Sequence, residues 1–271
     1  MRVVRLDGLD DARFVDRELY RVIADHEQLR ARGLFVAEGR LVVQRLIERR
    51  PDLARSLLLN DTAYRALQST AVDVTAYVCD TADFETLTGY NIHRGCLALA
   101  SRPPRLAIED LLATARSLVL VEDVGNADNV GGIFRNAAAF GVGGVILSGG
   151  SADPLYRKSI RTSMGAVLGV PFTTAAVDEW SAMLTALRQH GFQVVALTPE
   201  PSALDIDSFA RTSRGDRVAL LVGTEGAGLT RQSQATADVR VRIPIHAVVD
   251  SLNVSVATGI ALHRLAAPPS R

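Results

Sequence analysis

Residues 117–148, SLVLVEDVGNADNVGGIFRNAAAFGVGGVILS, decide the fold that we predict for this chain. The stretch opens with a largely apolar strand, 117–124, and closes with a second strand, 143–148. Between them, residues 129–141 carry apolar side chains at helical spacing and end at Gly141, a residue typical of a helix C-terminus. A strand, a helix and a second strand in this order predict two parallel strands in one sheet.

The same alternation continues towards the C-terminus. Strands this apolar, separated by helices, predict an α/β domain with a parallel sheet that is covered by helices on both faces. We expect further strands at 192–198, 217–223 and 239–245, and further helices at 178–190 and 253–266.

Pro103 and Pro104 mark a seam on the N-terminal side of this domain. The chain before the seam also alternates between short strands and helices, which predicts a separate small α/β domain. We therefore expect one domain at 1–104, a linker at 105–115 and a second domain at 116–271. In the first domain, strands are expected at 34–39, 55–60, 74–79 and 95–101, and helices at 40–50 and 62–68.

Composition narrows the function classes. Of the 271 residues, 48% are hydrophobic, which is enough for a substantial core. No apolar run approaches the roughly 18 residues that a membrane span needs, and the N-terminus has no apolar block typical of a signal peptide. Cys79 and Cys96 lack metal-ligand spacing and are expected to be reduced core residues, which favours a cytoplasmic location.

Basic residues indicate nucleic acid only locally, because the net charge is zero. Lys158 is the one lysine in the sequence, and all other cationic residues are arginines. A GC-rich genome explains that bias, although arginine also grips phosphate in a bidentate way. Six arginines fall close together and form either a solvated helix face or an RNA-binding patch; they are Arg30, Arg32, Arg40, Arg45, Arg49 and Arg50.

The first polar loop of the second domain precedes a helix and contains Asn126, Asp128 and Asn129. Ligands of open parallel sheets gather beyond the carboxyl ends of the strands, where this loop is expected to lie. Arg135 follows in an otherwise apolar helical stretch. The pattern alone leaves two interpretations open, an ion pair with a surface acid or an interaction with a bound anion.

Two later loops occupy equivalent positions. In GTEGAGL, 223–229, three glycines surround Glu225, but the pattern matches neither a Walker loop nor a dinucleotide fingerprint. In IPIHAVVDSLN, 243–253, apolar residues flank a loop that ends with polar side chains, of which capping would need only one. Because the glycines do not follow the first strand, the arrangement argues against Rossmann-type methyltransferases and dehydrogenases.

Together, NADNVGGIFRNAAAFG, LLVGTEGAGL and IPIHAVVDSLNVSVATGIALH resemble the three motifs of the SpoU (TrmH-like) family of RNA ribose 2′-O-methyltransferases, within the SPOUT superfamily. DPLYRKSIRTSMGAVLGVPF resembles the stretch between the first two motifs. In the first half, FVAEGRLVVQRLIE and GCLALA resemble the L30e-like substrate-binding domain that often precedes this catalytic domain.

The resemblance implies a deep C-terminal trefoil knot, a homodimer, and S-adenosylmethionine bound inside the knot without a metal. By position, it implies that the cofactor is held by Gly223, Ile243 and Leu252, with Leu197 and Thr198 beside it. Ala127, Asn136 and Ala247 depart from the residues that the family usually has at these positions. Ala247 stands near the place of a glycine and bears most directly on the cofactor loop.

The resemblance also implies the catalytic residues. Arg135 is expected to grip a phosphate and align the ribose 2′-oxygen rather than act as a base, because a guanidinium stays charged. Its expected partners in the site are Asn129, Glu225, Ser251 and Asn253. The expected RNA-binding residues are Arg40, Arg45, Arg157, Lys158 and Arg161, with Tyr156 beside them.

Three alternatives remain at this stage. One is transfer RNA rather than ribosomal RNA as the substrate; the added N-terminal domain favours ribosomal RNA. Another is a base methyltransferase that uses Asp250 as its general base. The third is a non-catalytic RNA-binding or assembly protein. An antibiotic-resistance role also stays open. We expect His246 to be incidental, and His93, His263 and Trp180 to be structural.

Overall fold

A computed structural model of the protein describes residues 1–89, 92, 95–176, 178–212, 214–246 and 248–265. The chain forms two compact units. Unit 1 comprises Met1–Pro104 together with Leu155–Gly169, and unit 2 comprises Arg105–Pro154 and the chain from Val170 onward. His93 and Ala247, for which the sequence raised expectations, lie outside the described residues.

Each unit is built on its own sheet. Unit 1 has a five-stranded mixed sheet in the order β1-β4-β3-β5-β2, and unit 2 has a seven-stranded sheet in the order β10-β12-β9-β11-β6-β7-β8, in which all neighbours are parallel. The strands are β1 Arg2–Arg5, β2 Leu34–Glu38, β3 Ala54–Leu59, β4 Thr75–Val78, β5 Cys96–Ser101, β6 Ser117–Glu122, β7 Gly144–Ser148, β8 Phe172–Ala175, β9 Gln193–Leu197, β10 Leu204–Asp205, β11 Val218–Gly223 and β12 Val239–Arg242.

In the described residues, helices separate most of the strands, although α1 and α2 are consecutive and so are β9 and β10. Short 3₁₀ turns follow at Pro51–Leu53 and Ala166–Leu168. The helices are α1 Arg17–Arg21, α2 His26–Ala31, α3 Arg40–Arg49, α4 Asp61–Leu67, α5 Thr81–Thr88, α6 Ile108–Thr114, α7 Ala127–Ala139, α8 Arg157–Thr162, α9 Trp180–Gln189, α10 Ile206–Thr212, α11 Arg231–Thr236 and α12 Val254–Leu265.

The parallel sheet of unit 2 confirms the prediction from 117–148. Strand β6, in the interior of this sheet, is buried from Leu118 onward, and its alternate side chains enter opposite faces. Leu118 and Leu120 join a core with residues of α6 and α9, including Leu111 and Leu184. On the opposite face, α7 packs on β7, and α12 packs on both β11 and α7. The expected helical cover on both faces is therefore present.

The core of unit 1 contains both cysteines, which are free and buried as expected. Burial raises the pKa of the Cys79 and Cys96 thiols to about 12, so both stay protonated at neutral pH. Tyr20 and Phe35 are fully buried in the same unit. Among the described residues, none of the helices combines the length and the apolar character that crossing a membrane requires.

Two segments differ from the expected domain boundaries. The expected linker at 105–115 contains α6, whose Leu111 and Leu112 are buried in the core of unit 2. Residues 155–169, expected in the second domain, belong to unit 1 because α8 packs on β2. There the guanidinium of Arg157 lies 3.5 Å from the buried carboxylate of Glu38. The arginine thereby provides the positive partner that a buried carboxylate needs.

Candidate active site

A cleft opens in unit 2 at the carboxyl ends of β9, β11 and β12. It measures about 740 Å³ including its open mouth, a size typical of small-molecule sites. The five residues predicted to hold the cofactor all line it: Leu197, Thr198, Gly223, Ile243 and Leu252. Glu225 and Ser251, predicted for catalysis, also line the cleft. The structure therefore brings seven of the predicted site residues to one place.

The glycine-rich loop after β11 forms one wall of this cleft. Thr224 and Gly228 pair as an antiparallel bridge, and the Gly228 N–H donates to the Thr224 carbonyl at 3.0 Å. A Cβ on Gly223 would lie 2.5 Å from the carbonyl carbon of Gly228, so only glycine permits this closure. The closed turn holds Glu225 near its tip.

The loop before α7 divides its polar residues between two tasks. Asn126 caps the helix, because its side-chain oxygen accepts from the Asp128 N–H at 2.9 Å. Asn129, in the first turn, is buried at 5% exposure. Its Nδ2 has no hydrogen-bond partner among the described residues. A buried amide donor left unpaired is costly in a folded protein, so this group is poised for an acceptor.

Arg135 lies further along α7 and is exposed to solvent. In the part of the chain that the structure describes, its guanidinium forms neither an ion pair nor a hydrogen bond. The sequence left two interpretations open. The first, an ion pair between Arg135 and a surface acid, is not formed among the described residues. The remaining interpretation, contact with a bound anion, agrees with this exposed and unpaired cation.

Asn253 connects two other predicted catalytic residues, Asn129 and Glu225. Its Nδ2 donates to Asn129 Oδ1 at 2.8 Å and to Glu225 Oε1 at 2.7 Å. Its Oδ1 accepts from the Ser255 N–H at 3.0 Å and from the Val256 N–H at 3.3 Å, which caps α12. The polar residues at the start of this helix thus cap it and join α7 to the glycine loop.

Two further contacts of the site were not predicted from the sequence. Asn136 Nδ2, on α7, donates to the Ser255 carbonyl on α12 at 2.6 Å. Beside it, a Cβ on Gly132 would lie 2.7 Å from Ser255 Cβ, so the two helices touch through a bare backbone position. Such contacts depend on tertiary packing. The small residues at 132 and 255 are the signal in the sequence that allows this approach.

Glu122, at the end of β6, is a second carboxylate that sequence reasoning missed. It is 3% exposed and accepts from Thr230 N–H at 3.0 Å, Thr230 Oγ1 at 2.9 Å and Trp180 Nε1 at 3.1 Å. Ser233 Oγ also donates to it. Trp180 is buried and packs structurally, as expected. An acid at the end of a largely apolar strand was the available signal.

The residues predicted to bind RNA lie together in unit 1, on α3 and the 155–169 segment. Arg40, Lys158 and Arg161 are exposed. The guanidinium of Arg45 donates to the carbonyl of Met164, and Arg157 pairs with Glu38. These two arginines therefore brace unit 1 internally, and the other three present charge to solvent.

The remaining candidates stay peripheral. His246 and Asp250 are exposed, and neither lines the cleft. His263 packs edge-on against Phe140, in agreement with a structural role. No cluster of potential metal ligands occurs among the described residues.

This chain resembles known proteins in sequence and in fold. The family model described as SpoU rRNA Methylase family matches residues 116–263. An uncharacterized tRNA/rRNA methyltransferase of Mycobacterium tuberculosis is 38% identical, over 96% of this chain and 87% of that protein. The 23S rRNA (guanosine(2553)-2′-O)-methyltransferase of Bacillus subtilis is 25% identical, over 85% of this chain and 88% of that protein. The fold is shared with an AdoMet-bound rRNA methyltransferase from Sinorhizobium meliloti, with a TM-score of 0.77 at 23% identity, covering 97% of each chain.

Proposed function

Because this chain belongs to the SpoU rRNA methylase family, we propose that it transfers the methyl group of S-adenosylmethionine to a ribose 2′-hydroxyl of ribosomal RNA. The observation that carries this proposal is the cleft, which gathers all five predicted cofactor residues beside Glu225. The Bacillus relative, which modifies a ribose 2′-oxygen of 23S rRNA, supports the same reaction class.

The residues of the cleft fit this cofactor. Leu197, Ile243 and Leu252 offer apolar walls for a flat purine ring, and the glycines of the 223–228 loop let a ligand approach the backbone closely. When bound, S-adenosylmethionine supplies an electrophilic sulfonium methyl with a good leaving group. Catalysis by the protein then consists of presenting the 2′-oxygen in line with that methyl group.

We assign this positioning to Arg135 and Asn129. The exposed guanidinium of Arg135 can hold the phosphate beside the target ribose through two parallel N–H donors. The unpaired Nδ2 of Asn129 can donate to an oxygen of the bound nucleotide. Glu225 accepts from Asn253 through Oε1, and Oε2 remains to accept from a ribose hydroxyl. The proton of the 2′-hydroxyl leaves to water or phosphate, since a guanidinium is already charged.

The geometry favours ribose over base methylation. A base methyltransferase would need a carboxylate in the last loop to take a proton from the ring. Asp250 is the candidate for that role, but it is exposed, whereas its neighbours Ser251 and Leu252 line the cleft. This placement supports a site without such a base.

In this proposal unit 1 is an L30e-like RNA-binding domain, and its exposed cations hold the RNA. Arg40, Lys158 and Arg161 supply phosphate contacts, which give affinity without sequence specificity. Arg45 and Arg157 shape this surface through their internal contacts.

The proposal includes a homodimer and a knotted C-terminus. Val256 and Ile260 lie one turn apart on α12 and are 52% and 38% exposed, so an apolar face of this helix is uncovered. A second copy would cover it.

Sedimentation should give twice the chain mass for the wild type, and Val256→Glu should shift the protein towards the monomer. A wild-type monomer at micromolar concentration would contradict this part.

Methyl transfer to RNA tests the function directly. The protein is incubated with methyl-tritiated S-adenosylmethionine and RNA isolated from cells whose gene for it has been deleted. Label in nuclease-resistant dinucleotides of the ribosomal RNA fraction supports the proposal. The same label in the transfer RNA fraction would contradict the substrate class. Label in free modified base, or no transfer, would contradict the reaction itself.

A further inference from the structure

Ser255 is the second residue of α12 and contacts Asn253, which holds Glu225 and Asn129. Its Oγ donates to Asn253 Oδ1 at 2.7 Å, and its N–H donates to the same oxygen at 3.0 Å. Its carbonyl accepts from Asn136 Nδ2 at 2.6 Å. Ser255 therefore ties the start of α12 to α7 with its backbone and to Asn253 with its hydroxyl.

These contacts determine which way the Asn253 amide faces. A primary amide has a donor end and an acceptor end, and exchanging them costs little unless the neighbours differ. Asn253 Oδ1 faces three donors, two from Ser255 and one from Val256. The opposite end faces two acceptors, Asn129 Oδ1 and Glu225 Oε1. The exchanged orientation would set the amide oxygen against the Glu225 carboxylate.

We propose that Ser255, held in place by Asn136, is a positioning residue that selects the amide orientation of Asn253 and thereby holds Glu225 and Asn129 for the incoming ribose. This rests on the proposed function, since the rate of methyl transfer is its consequence. The two N–H donors of α12 favour the same orientation. The hydroxyl is the third donor, and it is the one that substitution can remove without altering the backbone.

Packing between α7 and α12 places the hydroxyl. A Cβ on Gly132 would lie 2.8 Å from Ser255 Oγ and 2.7 Å from its Cβ. Gly132→Ala would thus displace the Ser255 side chain while leaving its chemistry intact. Ser255→Ala removes the hydroxyl while leaving the packing intact. The two variants therefore distinguish the effect of removing the Ser255 hydroxyl from the effect of moving it.

The test measures single-turnover methyl transfer at saturating S-adenosylmethionine, with RNA from gene-deleted cells. We expect Ser255→Ala to lower the rate about tenfold, the effect of losing one hydrogen bond, and Gly132→Ala to lower it comparably. The affinity for S-adenosylmethionine should change less than threefold. In an Asn253→Ala background, Ser255→Ala should have less than a twofold effect, because it acts through Asn253.

Thr258→Val is the matched control. Thr258 is buried on the same helix, and its Oγ1 donates to the Val254 carbonyl at 2.7 Å, away from Asn253. This isosteric variant should retain the wild-type rate within twofold while losing a hydrogen bond of similar length. If it slows transfer as much as Ser255→Ala does, the role of Ser255 is general helix stability and the proposal is wrong.

A second measurement does not depend on catalysis. With ¹⁵N-labelled asparagine, the two side-chain amide protons of Asn253 should be protected from exchange in the wild type and in Thr258→Val. In Ser255→Ala that protection should fall severalfold. Unchanged protection would overturn the proposal. If the wild type transfers no methyl group, the proposed function fails, and the Asn253 signals still decide whether Ser255 sets the amide.

Discussion

Glu122 and Glu225 lie at the same edge of the same sheet but differ in burial and in the hydrogen bonds that they accept. Glu122 ends β6 and is paired in register with Gly223, and Glu225 follows two residues after Gly223. From the described residues, buried Glu122 accepts four hydrogen bonds, whereas exposed Glu225 accepts one, from Asn253. A carboxylate whose acceptors are saturated holds a fold together, and one with spare acceptors can receive a ligand.

Glu122→Gln should have the largest effect on stability. The amide replaces one carboxylate oxygen with an N–H donor. Even with the amide oxygen in the place of Oε1, this donor would face the Thr230 N–H that now donates to Oε2. We expect the free energy of unfolding to fall by about 3 kcal/mol, which lowers the melting temperature by roughly 6–12 °C. Methyl transfer well below that temperature should stay within threefold of wild type. An unchanged melting temperature would mean that the hydrogen bonds to Glu122 do not stabilise the fold.

Glu225→Gln should show the opposite pattern. The side chain is exposed and keeps an oxygen for Asn253, so the melting temperature should change by about 1 °C or less. The loss of a charged acceptor in the site should lower single-turnover methyl transfer about fiftyfold. Calorimetry and the transfer assay on the same preparation test both halves. Full activity would remove Glu225 from the catalytic set.

Trp180→Phe removes one of the four donors to Glu122 and leaves the carboxylate in place. Trp180 Nε1 lies 3.1 Å from Glu122 Oε1, and phenylalanine keeps much of the ring packing. Because three donors remain, the loss should be about 1 kcal/mol, or roughly 2–4 °C in melting temperature. An effect as large as that of Glu122→Gln would mean that ring packing, rather than saturation of the carboxylate, stabilises this region.

Arg157 and Arg161 extend the contrast to unit 1, with the smallest expected effect. Arg157 pairs with buried Glu38, whereas Arg161 is exposed one turn along α8. Arg161→Ala should weaken RNA binding about threefold and lower the slope of log affinity against log salt by about 0.7–0.9. Filter binding over a salt series measures both. Exposed Arg65 on α4 provides a control for the loss of any arginine, and an equal effect there would remove Arg161 from the RNA surface.

The sequence predicted the elements better than it predicted their partners. The strand at 217–223 and the helix at 253–266 were close to β11 and α12, because buried strands and helices have distinct apolar periods. The motifs also placed Glu225 and Ser251 together at one cleft, as the structure has them, and their catalytic roles and that of Arg135 stay predictions.

What the sequence could not provide is the choice among polar partners. The role of Glu122 depends on Thr230, more than a hundred positions away in the sequence. The role proposed for Ser255 depends on the orientation of the neighbouring Asn253 amide. Residues 155–169 belong to unit 1 because α8 packs on β2, where Arg157 also pairs with buried Glu38. No local pattern of 155–169 encodes that distant partner. The knot and the L30e-like character of unit 1 stay predictions.

The divided chain of unit 1 has a consequence for synthesis on the ribosome. Unit 1 includes Leu155–Gly169, so it is incomplete when residue 104 has been translated. Residues 105–169 must be added first, which takes roughly 3–13 s at translation speeds of about 5–20 residues per second. During that interval β2 lacks its packing partner α8, and Glu38 lacks its ion-pair partner Arg157. The N-terminal unit therefore cannot finish folding before its successor has begun to emerge, and a fragment ending at residue 104 should be less stable than the same residues within the full chain.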